Sequence, residues 1–189
     1  MWQLLTNETN KQAARIKTAK PKNYCAKHWT HEATVREMKA FFACRVAIEM
    51  LVYKDCYEQY WRVKDNLLTA TPGFSKVFFR DWFLAIWSML HCVDEDDPNL
   101  DKMDKIYKSR PIFNYILERF QSHYVPDQEL SLDESMIPTK NSLSIKQYIK
   151  DKPIRWGLKI FLLTDSKHGY IQENVKMAQP LKTLVSLVI

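Results

Sequence analysis

Two different spacings of apolar residues divide the chain near Pro126. Before this proline, apolar residues recur mostly every three or four positions, which is the period of a helix with one buried face. After it, residues 130–133 alternate between apolar and polar side chains, a period of two that is typical of a strand. A run of helices followed by a run of strands predicts an α+β fold.

Three helices are predicted in the first part. Thr34 and Glu37 have the spacing of a capping box, which predicts a helix from there to about Tyr53. Ser75 could cap a second helix, and Pro111 suits the first turn of a third. The predicted apolar stripes are Val35, Met38, Phe42, Val46 and Met50 for the first helix, and Phe79, Trp82, Phe83, Ile86 and Leu90, widened by Trp87 and Met89, for the second.

Three strands are predicted in the second part. The first contains residues 130–133, the second is the apolar run 156–165, and the third is the alternating segment 169–175. A polar connector separates the first two strands, and the sequence SKHG predicts a turn between the last two. The expected arrangement is the start of an antiparallel meander.

Positive charge is concentrated at the start of the chain, where residues 1–30 are expected to form either an arm or a loosely packed helix. The formal net charge is +6, and residues 1–30 contribute six basic residues and one acidic residue, a net +5. Residues 31–125 sum to −1 and residues 126–189 to +2. A basic arm suits a polyanionic partner, because lysines and arginines at phosphates release counterions. The alternative is a solvated segment that keeps the protein soluble.

The cysteines and the apolar runs exclude other classes of protein. Cys25, Cys44, Cys56 and Cys92 form no C-x-x-C pair with zinc spacing, so buried, reduced thiols and an intracellular compartment are expected. The chain shows no signal peptide, and no segment approaches the ~20 apolar residues of a membrane helix. No glycine-rich phosphate loop is present either.

Two features of the second part could carry chemistry. Asp133 lies near the end of the first strand, where a carboxylate can bind a metal ion or simply close a strand. Its neighbour Glu134 should point to the opposite face of the sheet. The second feature is a basic stretch interleaved with aromatic residues, which suits nucleic-acid binding or a solvated connector whose aromatics pack inward. This stretch contains Lys140, Lys146, Tyr148, Lys150, Lys152, Arg155, Trp156 and Lys159.

The second part resembles the start of the catalytic domain of piggyBac-type DNA transposases. The resemblance covers roughly residues 29–175 and depends on an ordered set of short motifs. In the catalytic part these are Asp133-Glu134-Ser135-Met136, Lys146-Gln147-Tyr148, Lys152-Pro153, Trp156-Gly157-Leu158-Lys159, Asp165-Ser166 and Gly169-Tyr170. Upstream they are Tyr60-Trp61, Arg80-Asp81-Trp82-Phe83, Leu90-His91-Cys92-Val93-Asp94, Lys105-Ile106 and Tyr124-Val125-Pro126.

The resemblance implies an RNase H-like catalytic domain in which three aspartates hold two Mg²⁺ ions for DNA strand cleavage and transfer. Asp133 matches the first aspartate and is therefore the expected catalytic residue and metal ligand. Lys140, Lys146, Tyr148, Lys152 and Lys159 are the expected DNA contacts. The implied location is the nucleus, and the implied partners are DNA and a second copy or a full-length transposase, without a membrane.

The sequence departs from the family pattern at two places. Lys140-Asn141-Ser142 stands where the family usually has Lys-Gly-Arg, and residues after Val175 no longer match. The expected organisation is a basic arm (1–28), a helical domain (29–125), the first three strands of a truncated RNase H-like domain (126–176) and a divergent tail (177–189). With one of three aspartates, the chain is expected to bind Mg²⁺ poorly and to be inactive alone. The alternative is a non-catalytic module that binds DNA or a transposase.

Overall fold

The computed structural model describes residues 1–51, 60–61, 73–139 and 144–175, and these form six helices and four strands. The chain divides into two compact units. The first contains residues 1–101 and 107–109, and the second contains residues 102–106 and those from 110 onward. The combination of helices with a small antiparallel sheet confirms the α+β class. The predicted domain boundaries stay predictions, since contacts within one chain do not establish where a domain folds independently.

The first unit begins with two packed helices. Helix α1 spans Trp2–Ala19 and helix α2 spans Tyr24–His28. Leu5 and Ala13 of α1 are buried, so of the two predicted alternatives residues 2–19 form the helix, which packs into this unit. Asn10 fixes α1 to the segment before the next helix, because its side chain exchanges two hydrogen bonds with the backbone of Ala33, at 3.0 and 2.8 Å.

Helix α3 spans Val35–Met50 and begins at the predicted capping box. The Glu37 N–H donates to Thr34 Oγ1 at 3.2 Å, and the Thr34 N–H donates to Glu37 Oε2 at 2.9 Å. The predicted apolar stripe is wrong at Val46 and Met50, while Phe42 is half-buried against Trp2. The buried residues are Met38, Phe41, Cys44 and Ile48, whereas Val46 and Met50 are exposed. The predicted extension to Tyr53 enters residues 52–59, which lie outside the described part of the chain.

The predicted second helix is divided into two. Helix α4 spans Phe74–Val77 and helix α5 spans Arg80–Met89, with extended backbone at Phe78 and Phe79 between them. Ser75 therefore lies inside α4 and is not a cap. Phe79 is 85% exposed because the break turns it away from the stripe. Of the other predicted residues, Trp82, Phe83, Ile86 and Met89 are buried as expected, whereas Trp87 and Leu90 are half-buried.

The second unit contains helix α6, Arg110–His123, and the sheet. The strands are β1 (Leu130–Pro138), β2 (Lys146–Tyr148), β3 (Trp156–Asp165) and β4 (Ile171–Val175). Three of them were predicted, and β2 lies in the predicted polar connector. Strand β3 is central: β1 pairs antiparallel along its whole length, and β2 and β4 pair antiparallel with its start and its end.

The register gives the sheet two distinguishable faces, because paired residues share a face and successive residues alternate. The Asp133 face carries Asp133, Ser135 and Ile137 of β1 opposite Leu162, Ile160 and Leu158 of β3. The Glu134 face carries Glu134 and Met136 opposite Phe161 and Lys159. Met136, Ile160 and Phe161 are buried, so both faces contribute to the core of this unit.

The described part of the chain holds free thiols and lacks a membrane span. Cys25, Cys44 and Cys92 are unpaired, and Cys56 lies outside the described residues. Burial raises the pKa of the Cys44 and Cys92 thiols. None of the described helices is both long enough and apolar enough to traverse a bilayer.

Candidate nucleic-acid interface

Asp133 lies in the middle of strand β1 and is exposed to solvent. It is opposite Leu162 of β3, while Glu134 is opposite Phe161 on the other face, as expected for neighbours on a strand. Asp133 Oδ1 accepts a 2.7 Å hydrogen bond from the Glu134 N–H. Among the described residues its carboxylate forms no ion pair.

The metal site implied by the resemblance is not complete within the described residues. In that part of the chain, no group of three or more His, Cys, Asp or Glu side chains is placed to hold a metal ion. Two Mg²⁺ ions need several oxygen ligands, because each ion gives up bound water reluctantly. The described residues, with Asp133 alone at this position, therefore do not fit a two-metal centre by themselves.

Glu134 holds two of the predicted DNA-binding lysines. Its carboxylate lies 2.5 Å from Lys159 Nζ, and its backbone oxygen accepts a 2.9 Å hydrogen bond from Lys152 Nζ. The Lys159 ammonium also lies 4.8 Å from the centre of the Phe161 ring, on the Glu134 face. The charge of Lys159 is thus offset locally, and roles for Lys152 and Lys159 in DNA binding stay predictions. Lys140 lies outside the described residues.

Residues 144–156 form a hairpin that contains β2 and the first residue of β3, and we call this segment the basic hairpin. Strand β2 pairs with β3, and the Ile149 N–H donates to the Arg155 carbonyl at 2.9 Å to close the loop. The segment contains four basic residues and one acidic residue, a net charge of +3. Lys150 and Arg155 are exposed. This concentration of positive charge on a short loop favours a polyanionic partner.

An exposed aromatic pair stands at the base of the basic hairpin. Tyr148 and Trp156 are opposite each other in the β2–β3 register, with ring centres 5.0 Å apart and planes inclined at 50°. They are 50% and 56% exposed. Lys146 Nζ lies 5.5 Å from the Trp156 ring centre, within cation–π range. The register places all three on the same face as Asp133, six residues along β3 from Leu162, which is about 20 Å at ~3.4 Å per residue.

Two features of this interface were missed from the sequence. Trp156 and Arg155 were noted in the basic stretch but not selected as DNA contacts, although alternation along a paired strand would have placed Trp156 beside Tyr148. The anchoring role of Glu134 was not predicted either. Its partners follow it by 18 and 25 positions, so only the strand register reveals them.

The basic residues of α1 are largely compensated. Arg15 Nη2 lies 2.5 Å from carboxylate oxygens of both Asp94 and Asp96, and Lys11 Nζ lies 3.1 Å from Asp94. The Arg15 guanidinium, the Asp96 amide and the Lys11 ammonium hold the pKa of Asp94 well below its usual range. Two of the six basic residues in residues 1–30 thus attach α1 to the loop after α5.

Asp165 is a structural carboxylate at the end of β3. It is 1% exposed and accepts hydrogen bonds from three backbone N–H groups, those of Asp127 at 2.8 Å and of Lys167 and His168 at 2.9 Å. The amides of Asp127, His168 and Lys167 and the Tyr124 hydroxyl lower the pKa of Asp165 to about 2. This carboxylate fixes the β3–β4 turn against the segment that leads into β1.

Comparison with known proteins shows similarity to transposases. A family model described as Transposase IS4 matches residues 1–179. The chain is 39% identical over 82 residues to human PiggyBac transposable element-derived protein 3, covering 43% of this chain and 14% of that protein. It is 36% identical over 92 residues to human PiggyBac transposable element-derived protein 2, covering 49% and 15%. The matches therefore span a small fraction of these relatives.

A solved structure shares the fold. The cryo-EM structure of a piggyBac transposase synaptic complex with hairpin DNA superimposes with a TM-score of 0.74 at 19% sequence identity. The match covers 92% of this chain and 35% of that chain. At this level of identity the comparison establishes a common fold.

Proposed function

Because this chain belongs to the piggyBac-type transposase family, we propose that it binds DNA through the basic hairpin and cleaves no DNA strand by itself. The sheet is then the start of an RNase H-like domain, and Asp133 is one metal ligand of that domain. The site of action is the nucleus, where chromosomal DNA is found.

The observation that carries the DNA-binding proposal is the net charge of +3 on the basic hairpin, which borders the sheet that carries Asp133. Lys150 and Arg155 are exposed there. Each phosphate that such a residue neutralises releases counterions, so binding is favourable at low salt and weakens as salt rises. A duplex backbone that approaches the Asp133 face would meet the hairpin about 20 Å from Asp133, at ~3.4 Å per strand residue.

The proposed lack of cleavage follows from the number of carboxylates. Strand cleavage by two metal ions needs ligands that clamp both the attacking and the leaving oxygen. The described residues include no group of three or more potential metal ligands, and one carboxylate does not hold Mg²⁺ stably against water. Asp133 would contribute to a centre only together with carboxylates supplied from other residues.

DNA binding is tested by fluorescence anisotropy of the purified chain with a labelled duplex at several KCl concentrations. We expect log K to fall linearly with log salt concentration, with a slope of about −2 to −4 for the hairpin's exposed cations. The double variant Lys150→Gln/Arg155→Gln should reduce the magnitude of this slope by about 2.

The matched control is Lys20→Gln/Lys22→Gln, which removes the same charge from exposed residues of the first unit. If the control variant weakens binding as much as the hairpin variant, the affinity depends on the net charge of the protein and not on the basic hairpin. That result would contradict the proposed binding site. Cleavage is tested with the same duplex in Mg²⁺ or Mn²⁺. A metal-dependent nick or strand break made by the 189-residue chain would contradict the proposal.

A further inference from the structure

Tyr148 and Trp156 are large aromatic residues, and each exposes half or more of its surface to solvent. The local core is made by other residues, since the neighbouring Ile145 and Ile160 are 9% and 8% exposed. The aromatic pair therefore is not explained by packing within the described chain. Its position among lysines suggests a ligand with both flat apolar surfaces and negative charge.

We propose that Tyr148 and Trp156 form a stacking site for unpaired DNA bases, beside the duplex-binding basic hairpin. This inference rests on the proposed DNA binding and adds to it a preference for single-stranded DNA. Bases in a duplex are already paired and stacked, so their faces are not free for protein rings. Unpaired bases expose these faces, and aromatic side chains bind them regardless of sequence.

The geometry of the pair suits this ligand. The ring planes are inclined at 50° and do not stack on each other, so ring surface remains accessible to a base. Lys146 Nζ lies 5.5 Å from the Trp156 ring centre, where its charge can also attract the phosphate of a bound nucleotide. The Lys152 ammonium donates to the Glu134 backbone oxygen, which attaches the hairpin to β1.

The pair lies on the same face of the sheet as Asp133. Trp156 and Asp133 are about 20 Å apart along β3, at ~3.4 Å per residue. This distance corresponds to roughly six nucleotides of one DNA strand, at ~3.4 Å per nucleotide.

The test measures affinity for a labelled 12-nucleotide single strand and for a duplex of the same length. Tyr148→Ala and Trp156→Ala should each weaken single-strand binding about 5- to 100-fold. Duplex affinity and its salt dependence should change less than about twofold, because the phosphate contacts of Lys150 and Arg155 remain. Trp156→Phe should retain most of the single-strand affinity, since it keeps a ring.

The control is Phe79→Ala, which removes an aromatic residue that is 85% exposed in the first unit. Far-UV circular dichroism and a thermal midpoint confirm that each variant is folded. Equal losses for single strand and duplex, or no loss in either alanine variant, would overturn the stacking site while leaving the proposed duplex binding intact. Failure of the unmodified chain to bind any DNA would overturn both.

Discussion

Replacement of Asn10 by alanine tests whether α1 is a structural part of the first unit. The Asn10 side chain pairs with both backbone groups of Ala33, which is 3% exposed, so Asn10→Ala leaves a buried N–H and a buried carbonyl without these partners. If residues 1–28 were instead a loose basic arm, the same substitution would have no effect on unfolding.

The expected cost follows from the two hydrogen bonds. Each buried backbone group left without a partner costs about 1–3 kcal/mol. Asn10 is half-buried, so water would satisfy part of this requirement, and alanine is about 0.5 kcal/mol more favourable than asparagine within a helix. We therefore expect the free energy of unfolding to fall by about 2–4 kcal/mol. With a urea m-value of about 2 kcal/mol/M, the midpoint should fall by about 1–2 M.

Urea unfolding followed by circular dichroism measures this difference. The matched control is Asn7→Ala on the same helix, where the asparagine accepts a 2.9 Å hydrogen bond from Gln3 at the exposed surface. That pair contributes only about 0.2–0.5 kcal/mol, and alanine's helix propensity compensates for its loss. A midpoint for Asn10→Ala within error of that for Asn7→Ala would refute the assignment of α1 to the packed unit.

Two further predictions concern the sheet. Gly157→Ala should lower the free energy of unfolding by about 1–3 kcal/mol or more, because the new Cβ would lie 2.3 Å from the Ile137 carbonyl oxygen. At Gly169 an added Cβ would meet open space, but the backbone φ is +65°, so Gly169→Ala should lower the free energy of unfolding by about 1–2 kcal/mol. Urea unfolding measures both variants, and a larger loss for Gly169→Ala than for Gly157→Ala would contradict the steric argument. Asp165 has a pKa of about 2 in the folded chain and an ordinary value of 3.8, so its stabilising effect is present above about pH 4 and is lost as pH falls toward 2. Asp165→Asn should therefore be less stable than the unmodified chain at pH 7, with the difference shrinking below pH 4; a difference that does not change with pH would contradict this.

The sequence predicted those elements whose local chemistry specifies them. The capping box at Thr34 and Glu37 satisfies the first-turn amides of α3 with side chains three residues apart, so neighbouring residues suffice to locate it. The bounds of β3 were predicted because its apolar run is long and is bordered by turn residues. These assignments needed no knowledge of distant contacts.

The errors lie where distant contacts decide the outcome. Helix α3 carries apolar residues on several sides, and its buried face is selected by partners such as Phe83, whose ring centre lies 4.9 Å from that of Phe41. Periodicity alone cannot select that face. Strand β2 has only three residues and forms because β3 offers a free edge to it. Similarly, Lys11 and Arg15 form ion pairs with Asp94 and Asp96. These partners are distant in the sequence, so the local pattern of basic residues does not reveal that the charges are paired.

The register of β1 and β3 explains what several residues of the transposase-like motifs do in the sheet. A slip of one residue would exchange the faces of Asp133 and Glu134, because side chains alternate along a strand. Gly157 permits the close approach of the Ile137 carbonyl in this register, and the Lys159–Glu134 ion pair forms diagonally across the same two strands. Asp165 fixes the far end of β3 through three backbone amides. The residues around Asp133 thus determine that Asp133, and not Glu134, lies on the sheet face that carries Tyr148 and Trp156. Asp133 depends on this register even though its carboxylate does not contact the residues that fix it.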